Sequence, residues 1–255
     1  MMKQFVLQRG LDLDYMIVAK DAIEFEKWKG RNIEIVDELS VDEDTTMVIP
    51  VGTVQFVNYV RAQLGHDELF VENWPSDIHK FMVQSETQFG EGKLGELPFF
   101  PIFVKPKYDN KLFMGELLKS QDEVNHLKNM VMFDSPNKHI DDDTEVYWSV
   151  PVQFLAEWRS IIFQGEIISF SPYDSDKNHH KELFTEQGGA YEYTLGIAKE
   201  IDSTKARVVD IGMTSIGQYG IVECANHITT ASTYTTMIDR QKYFKALCSI
   251  GIRPT

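Results

Sequence analysis

The N-terminal third of the chain alternates short apolar runs with segments of helical period. Residues 15–19 (YMIVA) form an unbroken apolar run of strand length. Asp21 and Glu24 have the spacing of an N-cap and its reciprocal partner, and they predict a helix through Trp28 that stops at Gly30. Residues 32–36 and 46–50 (TMVIP) predict two further strands. Thr53 then caps a predicted helix that places Val54, Val57, Val60 and Leu64 on one face and closes at Gly65. This alternation predicts a small α/β layer. Residues 84–98 (QSETQFGEGKLGELP) are Gly-rich and polar, which predicts a loop or linker.

Beyond it, residues 99–104 (FFPIFV) predict a strand. Ser120 and Glu123 repeat the capping spacing ahead of a helix with Val124, Leu127 and Val131 on one side. Residues 134–143 predict a loop, and residues 147–155 a strand bent or demoted to an edge around Pro151. Residues 158–163 and 166–170 flank the turn dipeptide Gln164–Gly165 and predict a hairpin. A helix carrying Tyr191, Leu195, Ala198 and Ile201 follows, then a second hairpin from 207–213 and 219–226. Residues 231–247 predict a last helix with Tyr234, Met237, Ile238 and Tyr243 apolar.

Charge and cysteine usage narrow the function classes. Twenty-five basic residues against 39 acidic ones give a net charge of −14 with no basic run, which argues against a nucleic-acid partner. Two cysteines, Cys224 and Cys248, form no C-x-x-C pair, so we expect a reducing, cytoplasmic setting. The charges at Lys3, Arg9, Asp12 and Asp14 argue against a signal peptide, and no run approaches the roughly 20 apolar residues of a membrane span.

The strongest chemical signal lies in the second hairpin. A turn centred on Ile216–Gly217 pairs Asp210 directly with Glu223. Their Cβ atoms would then stand about 5 Å apart, and like charges so placed destabilise a sheet. A divalent cation between the carboxylates offsets the repulsion, with phosphate oxygens completing the octahedron of Mg²⁺. In this register Val208 and Ile221 share the face of the acids, while Val209, Ile211 and Val222 take the other. A slip of one residue or a solvated edge is the plainer alternative. Lys105 ends an apolar strand before Pro106, and with Lys111 it is either a surface lysine or a cation reaching phosphate. Glu157 and Arg159 share a strand face, as an exposed ion pair or as a phosphate or carboxylate fork. Gly90–Gly95 matches G-x-G-x-x-G but opens no helix, so we expect a mobile loop or lid rather than a dinucleotide site. His179–His180 and Asp141–Asp143 are expected to be solvated loop residues.

Three blocks together resemble the ATP-grasp superfamily, and most closely its small phage and bacterial clade of predicted peptide or amide ligases. They are FVKPKYDNKLFMG at 103–115, VPVQFLAEWRSIIFQGEIIS at 150–169 and VVDIGMTSIGQYGIVECAN at 208–226; VIPVGTVQFV at 48–57 is similar to that clade's pre-grasp segment. The resemblance implies an α+β, ATP-grasp-like fold in which two α/β subdomains clasp a nucleotide cleft. A small α/β pre-grasp domain at 1–98, with its Gly-rich linker, would precede the ATP-grasp domain at 99–255. It also implies ATP and Mg²⁺ as cofactors. Lys105 and Lys111 would meet ATP phosphates. Ser149, Val150 and Val152, within a hinge at 149–154, would meet adenine through the backbone. Arg159 would hold phosphate or an acyl phosphate, with Glu157 in the same pocket, and Arg159 and Lys111 would be catalytic. Asp210, Glu223 and Asn226 would be the metal ligands. Two departures stand out. The family's Glu-x-Asn pattern is here Glu223-Cys224-Ala225-Asn226, so Asn226 regains the face of Glu223 only through a bulge. Val150 stands where an acidic residue is common.

The activity so implied is an ATP-dependent carboxylate–amine ligation through an acyl phosphate, yielding ADP and phosphate, on small-molecule or peptide substrates. An ATP-grasp kinase, an inactive nucleotide-binding or interaction module and, more remotely, a nucleotidyl-transferring nucleic-acid ligase are the rivals.

Overall fold

A computed structural model of the chain describes residues 2–9, 13–83, 88–108, 112–113, 115–129, 139–172, 187–225, 228 and 239–254. The N-terminal layer is a parallel sheet of β1 (Met2–Leu7), β2 (Ile33–Val36) and β3 (Thr45–Val51), with β1 in the centre. Strand β1 carries no clean apolar run, because Lys3 and Gln4 interrupt it. Gln4 is nonetheless fully buried, and its amide donates to Glu34 on β2 at 2.7 Å.

Residues 15–19 are not a strand. They belong to α1 (Leu13–Trp28), a single helix that runs through the expected cap at Asp21. Ala19, Ala22, Ile23 and Glu26 are buried at helical spacing, so the period downstream decided what a short apolar run left ambiguous. The helix does stop at Gly30, whose φ of 85° a side chain would resist. The second helix, α2 (Val54–Gln63), follows the sequence pattern closely: Thr53 accepts from Phe56 N at 3.2 Å, and Val54, Val57 and Val60 are buried.

The Gly-rich segment is also corrected. Residues 84–87 lie outside the described part, but Phe89–Lys93 form strand β4, paired with β7 (Glu145–Ser149). The second sheet runs β4-β7-β5-β6, with β5 at Ile102–Pro106 and β6 at Glu116–Leu118, and is antiparallel throughout. Gly90 lies opposite Trp148, and a Cβ there would meet the indole at 2.6 Å. The glycine therefore makes room for a ring, which accounts for the G-x-G-x-x-G text without a phosphate or a lid. Gly90→Ala is expected to lower stability by about 1–3 kcal/mol. Gly92→Ala, whose Cβ would lie 3.8 Å from the same indole, should be tolerated. Urea unfolding of the two variants separates these outcomes.

Helix α3 (Gln121–Lys128) buries Val124 and Leu127 against Ile102, Val104 and Val146 of this sheet. Its capping differs from the expected box: Ser120 makes no side-chain cap, and Glu123 accepts from Lys119 N at 2.6 Å.

The third sheet is antiparallel in the order β11-β10-β8-β9. Its strands are β8 (Phe154–Phe163), β9 (Glu166–Pro172), β10 (Arg207–Thr214) and β11 (Tyr219–Ala225). Gln164 and Gly165, both at positive φ, turn β8 into β9. Helix α4 (Gln187–Glu200) packs on β8, β9 and β10, and α5 (Arg240–Ser249) packs on α1. Of the helix expected at 231–247, residues 231–238 are outside the described part. Residues 150–153 join the second sheet to the third, where a hinge was expected. One core combines Phe5, Ile23, Ile49 and Phe244 with Ile161 and Val208 of the third sheet, and another combines Trp74, Phe89 and Tyr147 with Val209, Ile211 and Ile221.

Candidate active site

Asp210 and Glu223 do face one another across β10 and β11. The register shifts between Asp210 and Ile211, so that Ile211 pairs with Ile221 and Val222 is the extra residue. The bulge corrects the expected faces: Ile221 joins Val209, Ile211 and Cys224 rather than the acids. No shift separates Glu223 from Ala225, and Asn226 lies outside the described residues.

The row extends further. Asp210 is also the partner of Arg159 on β8, and Arg159 that of Ser171 on β9. Direct partners share a face, so Ser171, Arg159, Asp210 and Glu223 stand side by side across four strands. Glu157, two residues from Arg159, shares that face opposite Gly212. The Arg159 guanidinium grips Asp210 with both oxygens, Nε to Oδ1 at 2.8 Å and Nη2 to Oδ2 at 2.7 Å. Lys105 reaches from the second sheet to Glu223, Nζ to Oε2 at 2.7 Å. Side-chain exposures of 3% for Asp210, 12% for Arg159, 16% for Lys105 and 30% for Glu223 show that little water screens these pairs.

This arrangement corrects the argument that an ion must separate the carboxylates. The chain supplies one cation to each acid, and the repulsion is offset without a metal. Burial pushes the Asp210 carboxyl above the ordinary range, and the charge of Glu223 adds to this; Arg159 opposes both. The donor set still suits Mg²⁺, which binds one or two carboxylates and leaves its other positions to phosphate and water. Among the described residues no group of three His, Cys, Asp or Glu converges as a metal site.

The other expected residues are distributed around this row. Ser149 ends β7, is buried, and pairs with Phe89 and Phe103. Val150 is half-buried and its N–H donates to Gln88 O at 2.7 Å, while Val152 lies in the connector to β8. Lys111 is outside the described residues, as are His179 and His180. The sequence reading missed Lys107, whose ammonium is raised chiefly by Glu91 at 2.9 Å. It also missed Tyr147, whose hydroxyl donates to Glu72 and is shifted well upward, first by burial. Neither contact leaves a local signal, because each joins segments distant in sequence.

Cys224 sits beside Glu223 but points to the opposite face. Burial pushes its thiol up to about 12, against the pull of Arg207. Burial also raises Cys248, near which Lys3 Nζ lies at 3.4 Å. Thiolate is the reactive form, so neither cysteine should react appreciably with a disulfide reagent at pH 8 in the native protein. Both should react in denaturant, and rapid native labelling of Cys224 would contradict the burial.

Two sheets joined by a short hinge, with lysine on one and paired acids on the other, define an ATP-grasp architecture. A family model of the ATP-grasp domain, the second family of its clade, matches residues 90–246, and the chain belongs to that family. No curated protein matches. Solved structures agree in fold. D-cycloserine synthetase DcsG superposes with a TM-score of 0.58 at 10% identity, covering 97% of this chain and 99% of that one. An L-amino acid ligase from Bacillus licheniformis gives 0.55 at 12%, covering 99% and 76%. D-alanine–D-alanine ligase from Bacillus anthracis gives 0.51 at 12%, covering 97% and 95%. Among the described residues no helix is long and apolar enough to cross a membrane.

Proposed function

We propose that the chain is an ATP-dependent carboxylate–amine ligase acting in a reducing, cytoplasmic setting. The observation that carries this reading is the row Lys105–Glu223–Asp210–Arg159, two cations flanking two adjacent acids beside the hinge between the sheets. Adenine would lie against the backbone of Ser149, Val150 and Val152, and Lys105 with Lys111 would hold the phosphates. Asp210 and Glu223, with Asn226, would hold Mg²⁺, which when bound neutralises phosphate charge. A substrate carboxylate oxygen attacks the γ-phosphorus as the bond to the ADP oxygen breaks, giving an acyl phosphate. Arg159, already shaped to grip two oxygens, would hold it, with Glu157 in the same pocket. An amine nitrogen then attacks the carbonyl carbon, phosphate departs with the bonding pair, and the nitrogen loses a proton. Such catalysis rests on positioning and charge neutralisation, so no protein nucleophile is required.

The pre-grasp and ATP-grasp units we propose to divide ahead of β4 rather than at residue 98, since β4 pairs within the second sheet. Incubation with ATP, Mg²⁺ and panels of amino acids and short peptides should release ADP and phosphate together. ADP with a phosphorylated product and no free phosphate would instead mark a kinase. The engagement of both acids by chain cations favours, as a second reading, a module without chemistry. That reading predicts no ATP binding by calorimetry.

A further inference from the structure

Ahead of the matched domain, residues 72–74 run between the second and third sheets and touch both. Asn73 and Trp74 are 2% and 3% exposed. Asn73 Nδ2 donates to Pro106 O at 2.7 Å, and Asn73 N donates to Lys107 O at 3.0 Å. On the other side Cys224 N donates to Asn73 O at 3.2 Å, and Trp74 Nε1 donates to Val222 O at 2.9 Å. The anchored residues flank the ion pair on both sides. Pro106 and Lys107 directly follow Lys105, and Val222 and Cys224 bracket Glu223. The Trp74 ring also lies 5.6 Å from that of Tyr147, the β7 partner of Lys105, and 6.3 Å from that of Phe103.

Lys105 and Glu223 sit on different sheets, and a flexible lysine does not fix its own distance to an acid. Four hydrogen bonds from two buried residues fix the backbone on each side of the pair. We propose that Asn73 and Trp74 are positioning residues, a strap that sets Lys105 against Glu223 and so aligns the phosphate-binding cation with the metal-binding acid. The inference rests on the function proposed above. The strap touches no reacting atom and acts through the two residues it spaces.

The test is a double-mutant cycle on ADP binding, measured by calorimetry with Mg²⁺ and with EDTA. Wild type should bind ADP more tightly with Mg²⁺. Trp74→Phe keeps a ring but removes the bond to Val222, and a hydrogen bond contributes about 1 kcal/mol, or roughly fivefold. The variant should lose about fivefold of the metal-dependent gain and change less than twofold in EDTA. In a Lys105→Gln background the same substitution should have less than a twofold effect, since the residues act as one unit. Equal weakening with and without Mg²⁺, an equal effect in both backgrounds, or no effect would overturn the strap while leaving the ligase reading intact. A wild type with no metal-dependent binding would overturn both. Should Trp74→Phe fail to fold, Asn73→Ala, which removes only the side-chain bond to Pro106, is read by the same criteria.

Discussion

Asp210→Ala is expected to lower the unfolding free energy by about 3–5 kcal/mol and to abolish Mg²⁺-dependent nucleotide binding. The stability loss follows from what remains behind. Arg159, 12% exposed, holds Asp210 with two charge-assisted bonds, and the truncation leaves its guanidinium buried without that partner. A structural cause and a functional one are separable here. Replacing both members with apolar residues, Asp210→Leu with Arg159→Met, removes the stranded charge and should recover most of the lost stability, because a buried ion pair contributes little beyond an apolar pair of similar volume. Nucleotide binding should not return. Urea unfolding reads the first quantity and calorimetry the second. A double variant as unstable as the single one would show that the pair has other essential contacts.

Lys105→Met is expected to do the opposite, harming binding far more than folding. Its partner Glu223 is 30% exposed and can be rehydrated, so the stability cost should stay below about 1 kcal/mol. A charge-assisted bond to phosphate contributes about 1.5–3 kcal/mol, so ADP affinity should fall by roughly 10- to 100-fold. Calorimetry on the variant at one fixed salt concentration checks this. An unchanged ADP affinity would make Lys105 a structural cation whose task is to neutralise Glu223.

The two predictions also mark what was legible in the sequence. Alternation along 207–226 placed Asp210 opposite Glu223, because a hairpin's pairing is local and its turn carries Gly217 at a φ of 77°. The bulge at Val222 left no trace, since no glycine or proline marks it. Arg159 reads naturally with Glu157, two residues away on the same strand. Its partner is instead Asp210, brought alongside by a pairing of β8 with β10 that crosses α4. The ion pair between Lys105 and Glu223 spans two sheets and has no local counterpart at all.

Fold errors have the same physical origin. Residues 15–19 satisfy strand and helix alike over so short a window, and only the burial of Ala19, Ala22, Ile23 and Glu26 continues the helical period. Strand β1 was hidden by Gln4, a polar residue whose burial depends on Glu34 of another strand. Strand β4 was hidden by glycines whose missing side chains are replaced by the Trp148 ring. Thr53 to Gly65, where cap, face and stop are all local, was fully legible.

The central claim is that nucleotide phosphates and a divalent cation meet at the row of Lys105, Glu223, Asp210 and Arg159. The most direct measurement is a crystal structure with a non-hydrolysable ATP analogue and Mn²⁺ in place of Mg²⁺, using the anomalous signal of the metal. The account predicts an anomalous peak in contact with both carboxylates and phosphate oxygens beside Lys105. A nucleotide or metal bound elsewhere, with both internal ion pairs undisturbed, would contradict it.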